Sequence, residues 1–333
     1  MKKLVFLFSG LIIICSAFAQ TNAQKIRAAK LAPPKNYQPL ALKSSPLLQT
    51  ILEKAVSETL TEFAAKKITP NDVAATLIDL RDLKNPKSAS VRGDQKIYPA
   101  SVVKLFYLAA IHRWLEDGKI KKLTPELERG VKDMIVDSSN DATHYVLDVL
   151  TDAPNGGELA PKDLETFAFK RNAVNRYFKS LGYDKINVNQ KTYCEDLYGR
   201  ERQFWNAGKN RNMLTTDATA RLLAEIAIGK FVSGERSNQM LQLLTRDFSG
   251  TSKDADNQAH GFTAIALHKL NLTDAKLWSK AGWTSKTRHD AAYVETPAGL
   301  KFVLVVFTEN FANERDIIPH IAEKVLKQLA SIK

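Results

Sequence analysis

Strand-like segments stand near both ends of this chain, and a long helix-patterned stretch separates them. Val73 to Leu80 is β-rich, and a second short candidate near 89–92 follows a turn at Lys84-Asn85-Pro86-Lys87. Three more candidates lie at 277–280, 291–295 and 302–307, the last two joined by the tight turn Pro297-Ala298-Gly299. A helix precedes the first strands: Ser45-Pro46 caps it, and Leu47, Leu48, Ile51, Leu52, Val56, Leu60 and Phe63 recur at helical spacing. Another closes the chain at about 317–330. This order predicts an α+β fold, an α/β sandwich in which N- and C-terminal strands complete one antiparallel sheet flanked by helices. An all-helical region, about 100–270, is inserted between them in a single domain spanning 45–332.

The N-terminus reads differently from the rest. Lys2 and Lys3, an apolar run from Leu4 to Phe18 and the small-X-small sequence Ala17-Phe18-Ala19 predict a signal peptide over residues 1–19, cleaved after Ala19. Ile14 is too bulky for a lipoprotein signal at Cys15. Residues 20–44, with Pro33, Pro34 and Pro39, read as an extended leader. No other stretch approaches the roughly 20 apolar residues of a spanning helix, so the expectation is a secreted or periplasmic monomer without a transmembrane anchor. Beyond the signal only Cys194 remains, so the core rather than a disulfide must supply stability. The net charge of +12 includes the two signal lysines and leaves +10. Those lysines are scattered, which favours a carboxylate substrate or an anionic surface over nucleic acid. The six histidines show no metal-ligand spacing and no glycine-rich phosphate loop occurs, so no metal and no cofactor is expected.

Chemistry concentrates where the helical pattern begins. Tyr98-Pro99-Ala100-Ser101-Val102-Val103-Lys104 is a proline turn entering an apolar helix, and Ser101 and Lys104, one turn apart, share a face. Apolar neighbours at Val102, Val103, Leu105 and Phe106 would lower the Lys104 amine pKa, which suits it to accept a proton from the Ser101 hydroxyl. Helical segments broken at Gly118 and Thr124-Pro125 continue to about residue 150. The polar run Asp137-Ser138-Ser139-Asn140-Asp141 interrupts them; by itself a solvent-facing loop, beside Ser101 it offers a hydroxyl for proton relay at Ser138 and an amide for a substrate carbonyl at Asn140. Phe167 to Leu181 reads as one helix. Residues 187–211 form a long loop carrying Glu195 and Glu201, and helices follow from Thr215-Thr216 and over 237–244.

Lys280-Ala281-Gly282-Trp283 comes just after the Leu277 strand, and Arg288 lies eight residues past Lys280. With Ser101-X-X-Lys104 and Ser138-Ser139-Asn140, in that order, the chain resembles the penicillin-recognising serine hydrolases, above all class A β-lactamases, over about 45–332. The resemblance implies a β-lactamase/transpeptidase-like fold in which Ser101 attacks the carbonyl and Lys104 removes its proton. Ser138 and Lys280 would then protonate the leaving nitrogen. It further implies an oxyanion site at the backbone N–H groups of Ser101 and Trp283, with Gly282 among the substrate-binding residues. Asn140 would orient the acylamide, and Lys280 and Arg288 would bind the substrate carboxylate, with Ser285, Thr284 or Arg288 compensating for the hydroxyl missing at Ala281.

Two departures bear on turnover. Ser139 stands where the family has aspartate, which is expected to loosen the loop. The glutamate that activates the deacylating water has no clear counterpart: aligning the family's leucine with Leu197 puts Cys194 at its position and Tyr198 at the following asparagine, leaving Glu195 and Glu201 as the two candidates. The expected function is therefore a class A-like β-lactamase. The alternatives are a D,D-peptidase or penicillin-binding protein acting on peptidoglycan stem peptides, and a β-lactam sensor that forms an adduct without turnover.

Overall fold

The computed structural model describes residues 37–193 and 196–332. Residues 1–36, and with them the expected signal peptide, lie outside the described residues, as do Cys194 and Glu195. Strands β1 (Lys43–Ser44), β2 (Val73–Asp79), β3 (Lys87–Val91), β4 (Thr245–Arg246), β5 (Lys276–Trp283), β6 (Thr287–Glu295) and β7 (Lys301–Glu309) form one sheet in the order β1-β3-β2-β7-β6-β5-β4. All neighbours are antiparallel except β1, which runs parallel to β3. The N-terminal strand β2 pairs directly with the C-terminal β7, from Val73 opposite Thr308 to Asp79 opposite Phe302. The sheet thus closes across the inserted residues.

Because side chains alternate across a strand, each strand feeds two cores. On one face Ala291, Tyr293, Val303, Val305 and Phe307 pack against the inserted helices. On the other, Ala292, Val294, Leu304 and Val306 pack against α1 (Pro46–Glu62), α10 (Thr263–Lys269) and the C-terminal α11 (Ile317–Ala330). The inserted region holds α2 (Val103–Glu116), α3 (Pro125–Ile135), α4 (Asn140–Thr151), α5 (Pro161–Arg171), α6 (Ala173–Ser180), α7 (Gly199–Trp205), α8 (Thr216–Ala227) and α9 (Gly234–Leu244). Caps set several of these ends: Ser45, Thr124, Ser139 and Thr215 each accept a backbone N–H two or three positions into the helix that follows.

The structure departs from the sequence reading in four places. Residues 37–44 are part of the folded domain rather than a leader. The Tyr37 hydroxyl and the Leu40 backbone N–H donate to the buried Glu225 carboxylate, and Lys43–Ser44 form an edge strand. The helix expected over Phe167 to Leu181 is two helices divided at Asn172. Within the expected loop 187–211, Gly199–Trp205 form a helix. The inserted region is not all helical, since Thr245–Arg246 return to the sheet beside β5. Among the described residues no helix is long and apolar enough to cross a membrane, and no group of side chains is arranged to hold a metal ion.

Candidate active site

The nucleophile candidate sits in a tight turn held from below by the sheet. Ala100 to Val102 form a short 3-10 turn that leads into α2, with Ala100 at a φ of 46°, a region that non-glycine residues rarely occupy. Gly282 of β5 runs directly against it. A Cβ there would lie 2.7 Å from the Ser101 nitrogen and 2.8 Å from that of Val102, so only glycine lets strand and turn approach this closely. His289 stands opposite Gly282 in the ladder and fastens the turn from β6: its Nε2 is 2.9 Å from the Tyr98 carbonyl, while its Nδ1 accepts the Thr308 backbone N–H. Those partners define a neutral imidazole donating from Nε2, and burial pushes its pKa down to about 4.

Lys104, in the first turn of α2 and fully buried, donates to the Ser138 carbonyl at 2.5 Å and to Asn140 Oδ1 at 2.8 Å, with Ser138 Oγ at 3.3 Å. Ser138 adopts a φ of 56°, which turns its carbonyl and hydroxyl toward the helix. Lys280, within β5, reaches the same hydroxyl at 2.9 Å. One hydroxyl therefore lies between two buried lysine amines. Burial is the main cause holding the Lys280 amine well below its ordinary pKa; the charges of Lys104 and Arg246 act in the same direction, and Asp290 opposes them. The loop between Lys104 and Lys280 is not loosened by Ser139. Its hydroxyl accepts the Ala142 N–H and its carbonyl accepts the Thr143 hydroxyl, so serine provides the N-cap of α4.

The other residues singled out in the sequence occupy different places. Trp283 lies on the rim, about one-third exposed, and Ser285 is exposed in the β5–β6 turn. Thr284 Oγ1 is taken up within that turn by the Lys286 and Thr287 N–H groups. Arg288 is opposite Trp283, on the sheet face away from Lys280. Its guanidinium is buried, ion-paired with Asp256, bonded to the Ala255 carbonyl and stacked 3.9 Å over Phe262, so it is committed to the protein rather than turned toward the Ser138 hydroxyl. Glu201 is also buried and ion-paired: Arg171, with no exposed surface, grips both carboxylate oxygens at 2.5 and 3.1 Å, and Lys191 stands 3.7 Å away.

Two side chains that sequence reasoning passed over support the cluster. Arg246 of β4 donates to the Ser279 and Ile135 carbonyls, tying β5 to the end of α3. Gln258, in the connection between β4 and α10, bonds Lys280 on one side and the loop before Ser138 on the other. Neither belongs to a local motif. Only the path of residues 247–262 over the end of β5 brings Gln258 there.

A mixed sheet between two helical layers, with a serine turn seated against the penultimate strands, defines the β-lactamase/transpeptidase-like fold. The chain belongs to the β-lactamase enzyme family, whose family model matches residues 55–329. Among solved structures it is similar to a β-lactamase from Sphaerobacter thermophilus, 20% identical with a TM-score of 0.60 over 84% of this chain and 98% of that one. It is also similar to PBP-A, 17% identical with a TM-score of 0.58 over 89% and 100%. The TLA-1 extended-spectrum β-lactamase matches at 15% identity and a TM-score of 0.59 over 84% and 99%. At these identities the likeness is one of fold. No curated protein matches the sequence.

Proposed function

We propose that the chain is an exported serine hydrolase of the class A β-lactamase type, acylated at Ser101 by β-lactams and deacylated by water. The observation that carries this reading is the Ser138 hydroxyl set between Lys104 and Lys280, next to the Ser101 turn. Ser101 Oγ bonds to the lactam carbonyl carbon and its proton passes to Lys104. The C–N bond then breaks as the ring nitrogen takes a proton from Ser138, which Lys280 replaces. The N–H groups of Ser101 and Trp283 stabilise the oxyanion, the close approach at Gly282 setting their separation, and the Asn140 amide orients the acylamide. Lys280 supplies the positive charge for the substrate carboxylate. Glu195 is the proposed base for the deacylating water, because Glu201 is already neutralised by Arg171. The catalytic domain is taken as residues 37–332, preceded by the signal peptide 1–19.

A second reading is favoured by that same ion pair, which removes one of two carboxylates available for deacylation. In it the chain is a D,D-peptidase or penicillin-binding protein whose acyl-enzyme with β-lactams persists. A variant of PBP-A has been solved as an acyl-enzyme with penicillin G. Mixing the purified protein with a chromogenic cephalosporin, and following both absorbance and protein mass, separates the readings. Turnover abolished by Ser101→Ala supports the lactamase, and a persistent adduct without turnover supports the second reading. Absence of any adduct overturns both. Loss of deacylation in Glu195→Gln, with acylation retained, would identify the base.

A further inference from the structure

Lys280 Nζ has three polar neighbours: Gln258 Oε1 at 2.5 Å, the Ala281 carbonyl at 2.7 Å and Ser138 Oγ at 2.9 Å. Two of these are carbonyl oxygens, which only accept, so two of the Nζ hydrogens are spent on them whether the amine is charged or neutral. The remaining position, an N–H in the ammonium and a lone pair in the amine, faces the one neighbour that can both donate and accept. The glutamine itself has a single consistent orientation. Its Oε1 faces two donors, Lys280 Nζ and the Ala281 N–H at 3.2 Å, while its Nε2 faces two acceptors, the Val136 carbonyl at 3.0 Å and that of Ile135 at 3.4 Å. It is buried, and two residues before it Asp256 is clamped by Arg288 and Arg315.

We propose that Gln258 is a positioning residue for proton transfer: by accepting one Lys280 hydrogen and tying β5 to the Ser138 loop, it turns the exchangeable position of the lysine toward the Ser138 hydroxyl. The proposal rests on the reading of Ser138 and Lys280 as a proton relay. An amide at 258 suits this role better than a carboxylate. It accepts a hydrogen bond without adding a full negative charge, so the proton stays exchangeable. The charged groups around Lys280 are then Lys104 from α2, Arg246 from β4 and Asp290 from β6, with cations predominating.

Two variants test this in the full-length protein. Gln258→Glu keeps the acceptor for Lys280 and adds charge, and Gln258→Met removes both ends of the bridge at similar volume. The Lys280 titration, followed by NMR of the 15N-lysine-labelled protein, is expected to move to higher pH in Gln258→Glu. The limb of the kcat/KM profile that reports Lys280 should move with it. Gln258→Met is expected to lower the acylation rate by about 10- to 100-fold, measured well below its own melting temperature, since misplacement by about an ångström costs on that order. An unmoved Lys280 titration in Gln258→Glu, or acylation at the wild-type rate in Gln258→Met, would overturn the proposal. If the wild type forms no adduct, the acylation reading fails, and the NMR titration still decides the role of Gln258.

Discussion

Two groups of buried cations among the described residues have partners of opposite kinds. Beside the Ser101 turn, Lys280 and Arg246 bond only neutral oxygens among the described residues: a hydroxyl, a side-chain amide and backbone carbonyls. Some distance along the inserted helices, Arg171 and Lys191 are matched by the carboxylates of Glu201 and Asp148. Both arrangements satisfy hydrogen bonds, but only the second neutralises charge. A buried pair of opposite charges fixes helices in place; burial lowers the Lys191 amine pKa there too, but the Asp148 and Glu201 carboxylates oppose that shift. A buried amine surrounded by neutral oxygens and other cations is held below its ordinary pKa, which makes its proton available. The contrast separates buried cations that have only neutral partners from those that are neutralised by carboxylates.

The largest effect expected is on acylation. Lys280→Met should lower kcat/KM for a chromogenic cephalosporin by 10³- to 10⁴-fold, about 4 to 5.5 kcal/mol, while thermal unfolding changes little because no buried anion is left unpaired. An unfolding transition shifted as far as that of an Arg171 variant would erase the distinction between the regions. Arg171→Met is the converse experiment. It leaves the buried Glu201 with only Lys191, 3.7 Å away and shared with Asp148, and should cost about 3 kcal/mol in urea-measured stability. A second change, Glu201→Leu, should restore much of that loss. A double variant no more stable than the single one would show that Arg171 acts through something other than the pair.

His289 provides a third case, a buried base kept neutral. Its pKa is about 4 in the folded protein against 6.5 for the ordinary side chain, so between those values the unfolded chain binds the extra proton. Its contribution is fully present above about pH 6.5 and is lost as the pH falls toward about 4, amounting to roughly 3 kcal/mol. His112, buried in α2 and also lowered to about 4, contributes with the same sign. Melting temperature should therefore fall steeply as the pH is lowered through this window. In His289→Gln the steepness should drop by about half, and an unchanged slope would assign the acid sensitivity elsewhere. The smallest effect concerns the cap. Ser139→Ala should cost about 1 kcal/mol, and Ser139→Asp should leave stability nearly unchanged because either side chain accepts the Ala142 N–H. A larger loss in the aspartate variant would mean that the cation cluster, not the cap, governs residue 139.

Much of the fold was legible in local patterns. The first and last helices, the five principal strands and the closure of the sheet across an insertion all followed from periodicity and from turn residues such as Pro297-Ala298-Gly299. The edge strand at Lys43–Ser44 was hidden because a two-residue strand has no period, and its neighbours are held by Glu225, nearly two hundred residues away. The break at Asn172 was missed because apolar residues continue on both sides of it. In the site, Ser101, Lys104, Ser138, Asn140 and Lys280 stand in short motifs; Lys104, Ser138, Asn140 and Lys280 are hydrogen-bonded to one another, and the Ser101 backbone packs against Gly282. Arg288 and Glu201 were read as free to meet a substrate or water, since an exposed charge and a buried ion-paired one look alike in sequence. Their partners, Asp256 and Arg171, are 32 and 30 residues away along the chain.

By itself the sequence determined which chemical groups this protein carries at helix starts and strand ends, because capping, periodicity and close glycine packing act over a few residues. Tertiary structure alone decided which of its buried charges are neutralised and which are left with neutral partners. That property depends on the dielectric surroundings and on partners that come together only when the sheet, the inserted helices and the loop carrying Gln258 close over one another.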